Sequence, residues 1–211
     1  MVEIFITTND IKLEAELFQS KLGTENVFVL ICHPHPQYGG NMFNNVVSGV
    51  FNKLVRNNIS CLRFNFRGVG RSTGSYSDGK GELGDVHACI DFLINEEKYE
   101  KIFLCGYSYG AAICCSAIGY SDKIAGYISV SFPWDFMGSK FKEHSQSSKP
   151  KLFIQGDRDT VAHYGTFQEN FDFYLEPKQK KIIEGADHFY GNYEEQVANA
   201  VLEFLKPYYE K

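Results

Sequence analysis

With 211 residues, 44% of them hydrophobic and 22% charged, the chain can bury one core without staples, so we read residues 1–211 as a single domain. A net charge of −5 with no run of Lys or Arg excludes nucleic acid as a main partner. No apolar stretch reaches the ~18 residues of a spanning helix, so no membrane partner is expected either.

In chain order, VEIFITTND and IKLEAELFQS alternate apolar and polar residues around Asn9-Asp10, which predicts a hairpin with one wet face. The opening also carries Glu3 and lacks the basic segment of a secretory leader. VFVLIC (27–32) is apolar throughout, as a strand covered on both faces is. Val46, Val47, Val50, Phe51, Leu54 and Val55 recur at helical spacing until Asn57-Asn58. A strand, SCLRFNF (60–66), leads into the glycine-rich turn RGVGRSTGSYSDGKG, where Arg67 or Arg71 is expected to pair with Asp78, Glu82 or Asp85. A helix from about Gly84 to Asn95 presents Val86, Cys89, Ile90 and Leu93. KIFLCG (101–106), AGYISVSF (125–132) and KLFIQG (151–156) are further apolar strands, the first followed by the small-residue helix GAAICCSAIGY. A helix near 164–175, a strand at 178–185 and an amphipathic helix from Tyr193 finish the chain. The six cysteines lie mostly within apolar runs and none is spaced C-x-x-C, so they read as free thiols in a reducing, cytoplasmic compartment.

Strands that alternate with helices after a hairpin predict a three-layer αβα sandwich around a mostly parallel sheet. Ligands bind such sheets beyond the carboxyl ends of the strands. After strand 101–106 stands Gly106-Tyr107-Ser108-Tyr109-Gly110, a G-x-S-x-G. A serine there sits on a sharp strand-to-helix turn, where side chains two residues to either side would collide. Its hydroxyl is a weak nucleophile until an oriented base takes the proton. The expected order is serine, acid, histidine. Asp157 and Asp159 follow strand 151–156, and His188 follows the last strand. Asp159 lies further out, where a turn swings its carboxylate under an imidazole, whereas Asp157 suits a turn cap. Of the other histidines, His87 falls in a helix, His144 in a polar loop, and His163 near the acid loop.

These pieces, with "CHPHPQYGGNMFNNVV", "LRFNFRGVGRSTGSY", "GDRDTV" and "GADHF", resemble the α/β-hydrolase superfamily from about Glu3 to Pro207. The likeness is to its small, lidless members with an HPHP motif, relatives of dienelactone hydrolases and serine-aminopeptidase-like proteins. It implies an eight-stranded sheet with the second strand antiparallel, and a triad of Ser108, Asp159 and His188. The polar connection from Asp135 to Pro150 is too short for a helical lid, which predicts an open cleft.

Two histidines in Cys32-His33-Pro34-His35-Pro36-Gln37 suggest a metal, but the Asp-His continuation of an H-x-H metal motif is missing and no cofactor is expected. A dinucleotide loop fails too, because Thr73 falls on the third glycine of G-x-G-x-x-G. An oxyanion loop remains: acyl transfer needs two N–H groups, one from Tyr109 and one from the loop after the third strand. Pro34 and Pro36 have no N–H, which leaves His35 or Gln37, with His35 nearer the strand. His33 is then an anchor for the loop. Tyr38, Phe132, Trp134, Phe136 and Phe189 are candidate pocket residues.

The reading is a serine hydrolase for small carboxylic esters or thioesters, with a small-molecule acyl substrate as partner. Alternatives are a peptidase, an acyltransferase with the same triad, or a binding protein on the same fold. A monomer or a homodimer is expected, the latter through an exposed sheet edge.

Overall fold

The computed structural model describes residues 1–8, 10–20 and 27–209. Its sheet contains β1 (Val2–Thr8), β2 (Ile11–Phe18), β3 (Val27–Cys32), β4 (Ser60–Phe64), β5 (Lys101–Tyr107), β6 (Ile124–Val130), β7 (Lys151–Gly156) and β8 (Lys178–Ile183). They lie in the order β1-β2-β4-β3-β5-β6-β7-β8. β2 runs antiparallel to both neighbours, and the strands from β4 to β8 pair in parallel.

The pleat explains why the central strands are apolar throughout. Along β3, Val27, Val29 and Ile31 face one core with α1 (Asn45–Arg56) and α7 (Glu194–Tyr209). Phe28, Leu30 and Cys32 face the other, with α2 (Lys80–Asn95), α3 (Tyr109–Cys115) and α6 (Tyr164–Phe173). Alternate side chains point to opposite faces, so a strand covered on both sides has no polar positions. This is the expected three-layer α/β-hydrolase sandwich. All six cysteines are free and buried within it. Among the described residues no helix is long and apolar enough to cross a membrane.

Several boundaries depart from the periodicity. α2 starts at Lys80, a turn before Gly84, because the Glu82 carboxylate accepts the amides of Ser77 and Gly79 at 2.8 and 2.9 Å. A cap sets that end, not an apolar stripe. β6 stops at Val130 instead of Phe132, since Ser131 turns the chain with φ 48°. Arg67 pairs with Asp85 at 2.7 Å, while Arg71 reaches the hairpin, at 2.8 Å from Glu14 and 2.9 Å from Glu3. The 135–150 connection holds two short helices, α4 (Trp134–Met137) and α5 (Ser139–His144), and no lid domain. α5 lies against the end of α3, where Ser116 Oγ donates to the Phe141 carbonyl at 3.2 Å.

Candidate active site

β5 ends at Tyr107 and α3 begins at Tyr109, so Ser108 alone makes the turn, with φ 55° and ψ −123°. Only tight packing holds a non-glycine residue there. The flanking glycines allow it. A Cβ on Gly110 would lie 2.4 Å from the His33 carbonyl oxygen and 2.6 Å from that of Cys32. A Cβ on Gly106 would lie 2.4 Å from the Gly110 carbonyl oxygen. The elbow is thus wedged against the end of β3, and the serine has no room to relax.

Three strand ends then converge. Ser108 Oγ lies 2.9 Å from His188 Nε2, and His188 Nδ1 lies 2.8 Å from Asp159 Oδ2. Asp159 follows β7 and His188 follows β8, so adjacent parallel strands bring the two together. Asp159 Oδ1 accepts the amides of Val161 and Ala162 at 2.9 and 2.8 Å. Its Oδ2 also accepts from Ser131 Oγ at 2.7 Å and Gln155 Nε2 at 3.1 Å. Burial pushes this carboxyl up, but hydrogen bonds from His188, Ser131 and the Val161 amide outweigh it and leave it below the ordinary range. Asp159 is therefore held as an anion beside the His188 ring. Tyr107 OH fixes the histidine from behind, donating to the His188 carbonyl at 2.6 Å. Asp157 does not cap its own turn; it accepts the Gly185 amide at 2.7 Å and so ties the acid loop to the histidine loop.

The loop after β3 separates the two early histidines. His33 is fully buried; its Nε2 accepts the Phe66 amide at 3.1 Å and its Nδ1 donates to the Pro34 carbonyl at 2.6 Å. Burial lowers its pKa to about 4, so it is a neutral anchor. His35 lies in the cleft, with its ring 4.5 Å from that of Tyr109. Its Nδ1 accepts the Gln37 amide at 3.2 Å, capping the 3-10 turn Pro36–Tyr38. The Gln37 amide is thereby committed to its own loop. The far end of the loop is pinned where the Met42 amide donates to Asn65 Oδ1 at 2.8 Å.

Above Ser108 opens a cleft of about 420 Å³ that, among the described residues, neither Asp, Glu, Lys nor Arg lines. Tyr38, Phe136 and Phe189 form its rim and are 78%, 59% and 66% exposed. Phe132 and Trp134 do not join them. At 1% and 6% exposure they stack on each other beneath the cleft, ring centroids 5.2 Å apart, and Trp134 Nε1 donates to Tyr174 OH at 3.0 Å. The turn at Ser131 and Pro133 sends them into the core and leaves Phe136 outside. Sequence reasoning also missed Tyr107, Ser131, Gln155 and Tyr190. Only Tyr107, inside the G-x-S-x-G, sits in a recognisable motif, and the pattern leaves its residue type free.

Sheet order, a single antiparallel internal strand and an elbow serine after β5 together define the α/β-hydrolase class. The chain belongs to the Alpha/beta hydrolase domain family, whose model matches residues 26–200. It is 32% identical to the uncharacterized protein RP471 of Rickettsia prowazekii over 83% of this chain and 77% of that protein. It superposes on an alpha-beta serine hydrolase homologue from Coxiella burnetii with a TM-score of 0.87 and 31% identity, covering 97% of each chain. A serine hydrolase without lid from Xanthomonas campestris, XC6422, gives 0.84 at 24% identity over 100% of this chain and 95% of that one, a likeness of fold.

Proposed function

We propose that this protein is a serine hydrolase that cleaves small carboxylic esters or thioesters through an acyl-enzyme on Ser108. One observation carries the reading: a continuous hydrogen-bonded line from Ser108 Oγ through His188 to Asp159, at 2.9 and 2.8 Å, under an open cleft.

Ser108 Oγ attacks the substrate carbonyl carbon while its proton passes to His188 Nε2. Asp159 accepts the Nδ1–H throughout and stabilises the imidazolium without taking the proton. The carbonyl oxygen becomes an oxyanion, received by the amides of Tyr109 and His35. Tyr109 opens α3, so its N–H has no intrahelical partner. His35 is favoured over Gln37 because the Gln37 amide already serves the His35 ring. As the intermediate collapses, His188 returns the proton to the leaving alkoxide or thiolate. A water activated by the same imidazole then releases the acid from Ser108. The uncharged lining favours uncharged esters, and the open cleft beside two short helices at 134–144 favours short acyl chains.

A panel of acyl-chain lengths on chromogenic esters tests the reading. Turnover is expected to peak at short chains and to vanish in Ser108→Ala, whose folding is unchanged. Full turnover in that variant would sink the mechanism.

A further inference from the structure

Behind Asp159 and His188 lies a second hydrogen-bonded layer that no sequence motif marks. Ser131 leaves β6 with φ 48°, a conformation a non-glycine residue holds only when its surroundings enforce it. That turn inserts a fully buried hydroxyl, 2.7 Å from Asp159 Oδ2 and 2.7 Å from Tyr190 OH. An ionised carboxylate only accepts, so the one Ser131 proton goes to Asp159, and Tyr190 donates to Ser131. The outcome is a directed chain from Tyr190 through Ser131 to the same Asp159 oxygen that accepts His188 Nδ1–H. Tyr190 is itself fully buried with φ 53°, a second enforced conformation on the same chain.

We infer that Ser131 and Tyr190 are positioning residues of the reaction proposed above, holding the Asp159 carboxylate and setting how strongly it draws the His188 proton. The inference rests on that reading. Ser131 and the imidazolium compete for the negative charge of one oxygen. A donor on Asp159 Oδ2 therefore weakens the pull of that oxygen on the Nδ1 proton, and the Tyr190 hydroxyl strengthens that donor by polarising it. Activity is then expected to extend to a lower pH than it would without the donor. Among the described residues, Asp159 from the loop after β7 and Ser108 and Tyr107 from the end of β5 meet His188. In its own loop Asp187 precedes it and accepts the Phe189 amide at 2.9 Å, and Tyr190 turns to Ser131. Across the cleft stands His35, and no described Lys or Arg lines the cavity.

Ser131→Gly separates this role from a need for the turn alone, because glycine suits a positive φ while the hydroxymethyl group that carries the donor is removed. The variant is expected to melt like the parent. Its acid limb of kcat/KM against pH should move up by about 0.5–1 in pH, and kcat at neutral pH should fall roughly tenfold with KM unchanged. Tyr190→Phe should move the limb in the same direction by less. The double variant should move it no further than Ser131→Gly alone, since Tyr190 acts through Ser131. An unmoved limb in folded Ser131→Gly, or additive shifts, overturns the inference. If Ser131→Gly fails to fold, Tyr190→Phe carries the test, and an unmoved limb there overturns it. Fluorophosphonate labelling of the parent keeps the two levels apart. A labelled parent with an unmoved limb removes only this inference, and an unlabelled parent removes the reading beneath it.

Discussion

The cleft has two unlike walls. On one, His188 lines the cleft with Asp159 buried behind it, and the Asp159 carboxylate accepts from five donors on four segments of the chain. On the other, Tyr38 and Phe136 expose their rings, joined at the mouth by Phe189, around a loop that bends on its own hydrogen bonds. The difference teaches where accuracy is needed. Proton transfer fails if a donor and acceptor move apart by an ångström, which accounts for the proposed base being built into the core. Contact with a small substrate needs only apolar area, which an exposed rim supplies. Substitutions in the first wall should therefore act on kcat, and those in the second on KM.

The largest expected effect sharpens that division. Asp159→Asn keeps the shape of the side chain and removes the charge that fixes the His188 tautomer. Steady-state kinetics should show kcat lower by roughly 10³–10⁴-fold with KM little changed. A loss confined to KM would show that the buried wall binds substrate and does not serve the base.

Next comes the root of the loop wall, where His33 breaks the simple contrast by being as buried as Asp159. Its folded pKa is about 4, against about 6.5 when unfolded. Between those values the unfolded chain binds more protons. The stabilisation is therefore complete above pH 6.5 and is lost as pH falls toward 4, by about 3 kcal/mol. Urea unfolding of the parent at pH 7 and pH 5 should show this loss. In His33→Gln the drop between the two pH values should shrink, because that side chain does not titrate. An equal drop in both proteins would assign the acid sensitivity to other groups.

The smallest effects belong to the rim. Tyr38→Ala and Phe189→Ala should each raise KM about fivefold, the loss of ~1 kcal/mol of apolar contact. Their kcat should hold and their stability stay within about 0.5 kcal/mol of the parent, as for exposed positions generally. A fall in kcat at either position would give the rim a part in the chemistry.

How far the sequence disclosed this depends on what constrains each residue. Ser108 was legible because Gly106 and Gly110 are demanded by contacts as short as 2.4 Å, and sterics of that kind leave a local pattern. Asp159 and His188 follow apolar strands, and a strand end is readable from the run before it. The mostly parallel sandwich was legible in apolar strands that alternate with helices; eight strands with the second antiparallel came from the family resemblance, and the strand order became visible only in the structure. Ser131 and Tyr190 were not legible. Each matters through a partner far along the chain, 28 and 59 residues apart, and a serine or tyrosine in a loop carries no periodicity. Phe132 and Trp134 were misread for a related reason. After β6 the chain turns at Ser131, and once the strand's alternation ends, hydrophobicity no longer tells inside from outside. The sequence left the choice between the His35 and Gln37 amides open, and the structure adds that the Gln37 N–H donates to the His35 ring.

The central claim is that Ser108 is a nucleophile activated by His188. Incubation with a fluorophosphonate, followed by intact-mass and peptide mass spectrometry, tests it most directly. The account predicts one adduct per chain, located on Ser108, absent from Ser108→Ala and formed far more slowly in His188→Ala. An unlabelled parent, or an adduct on any other residue, would contradict it.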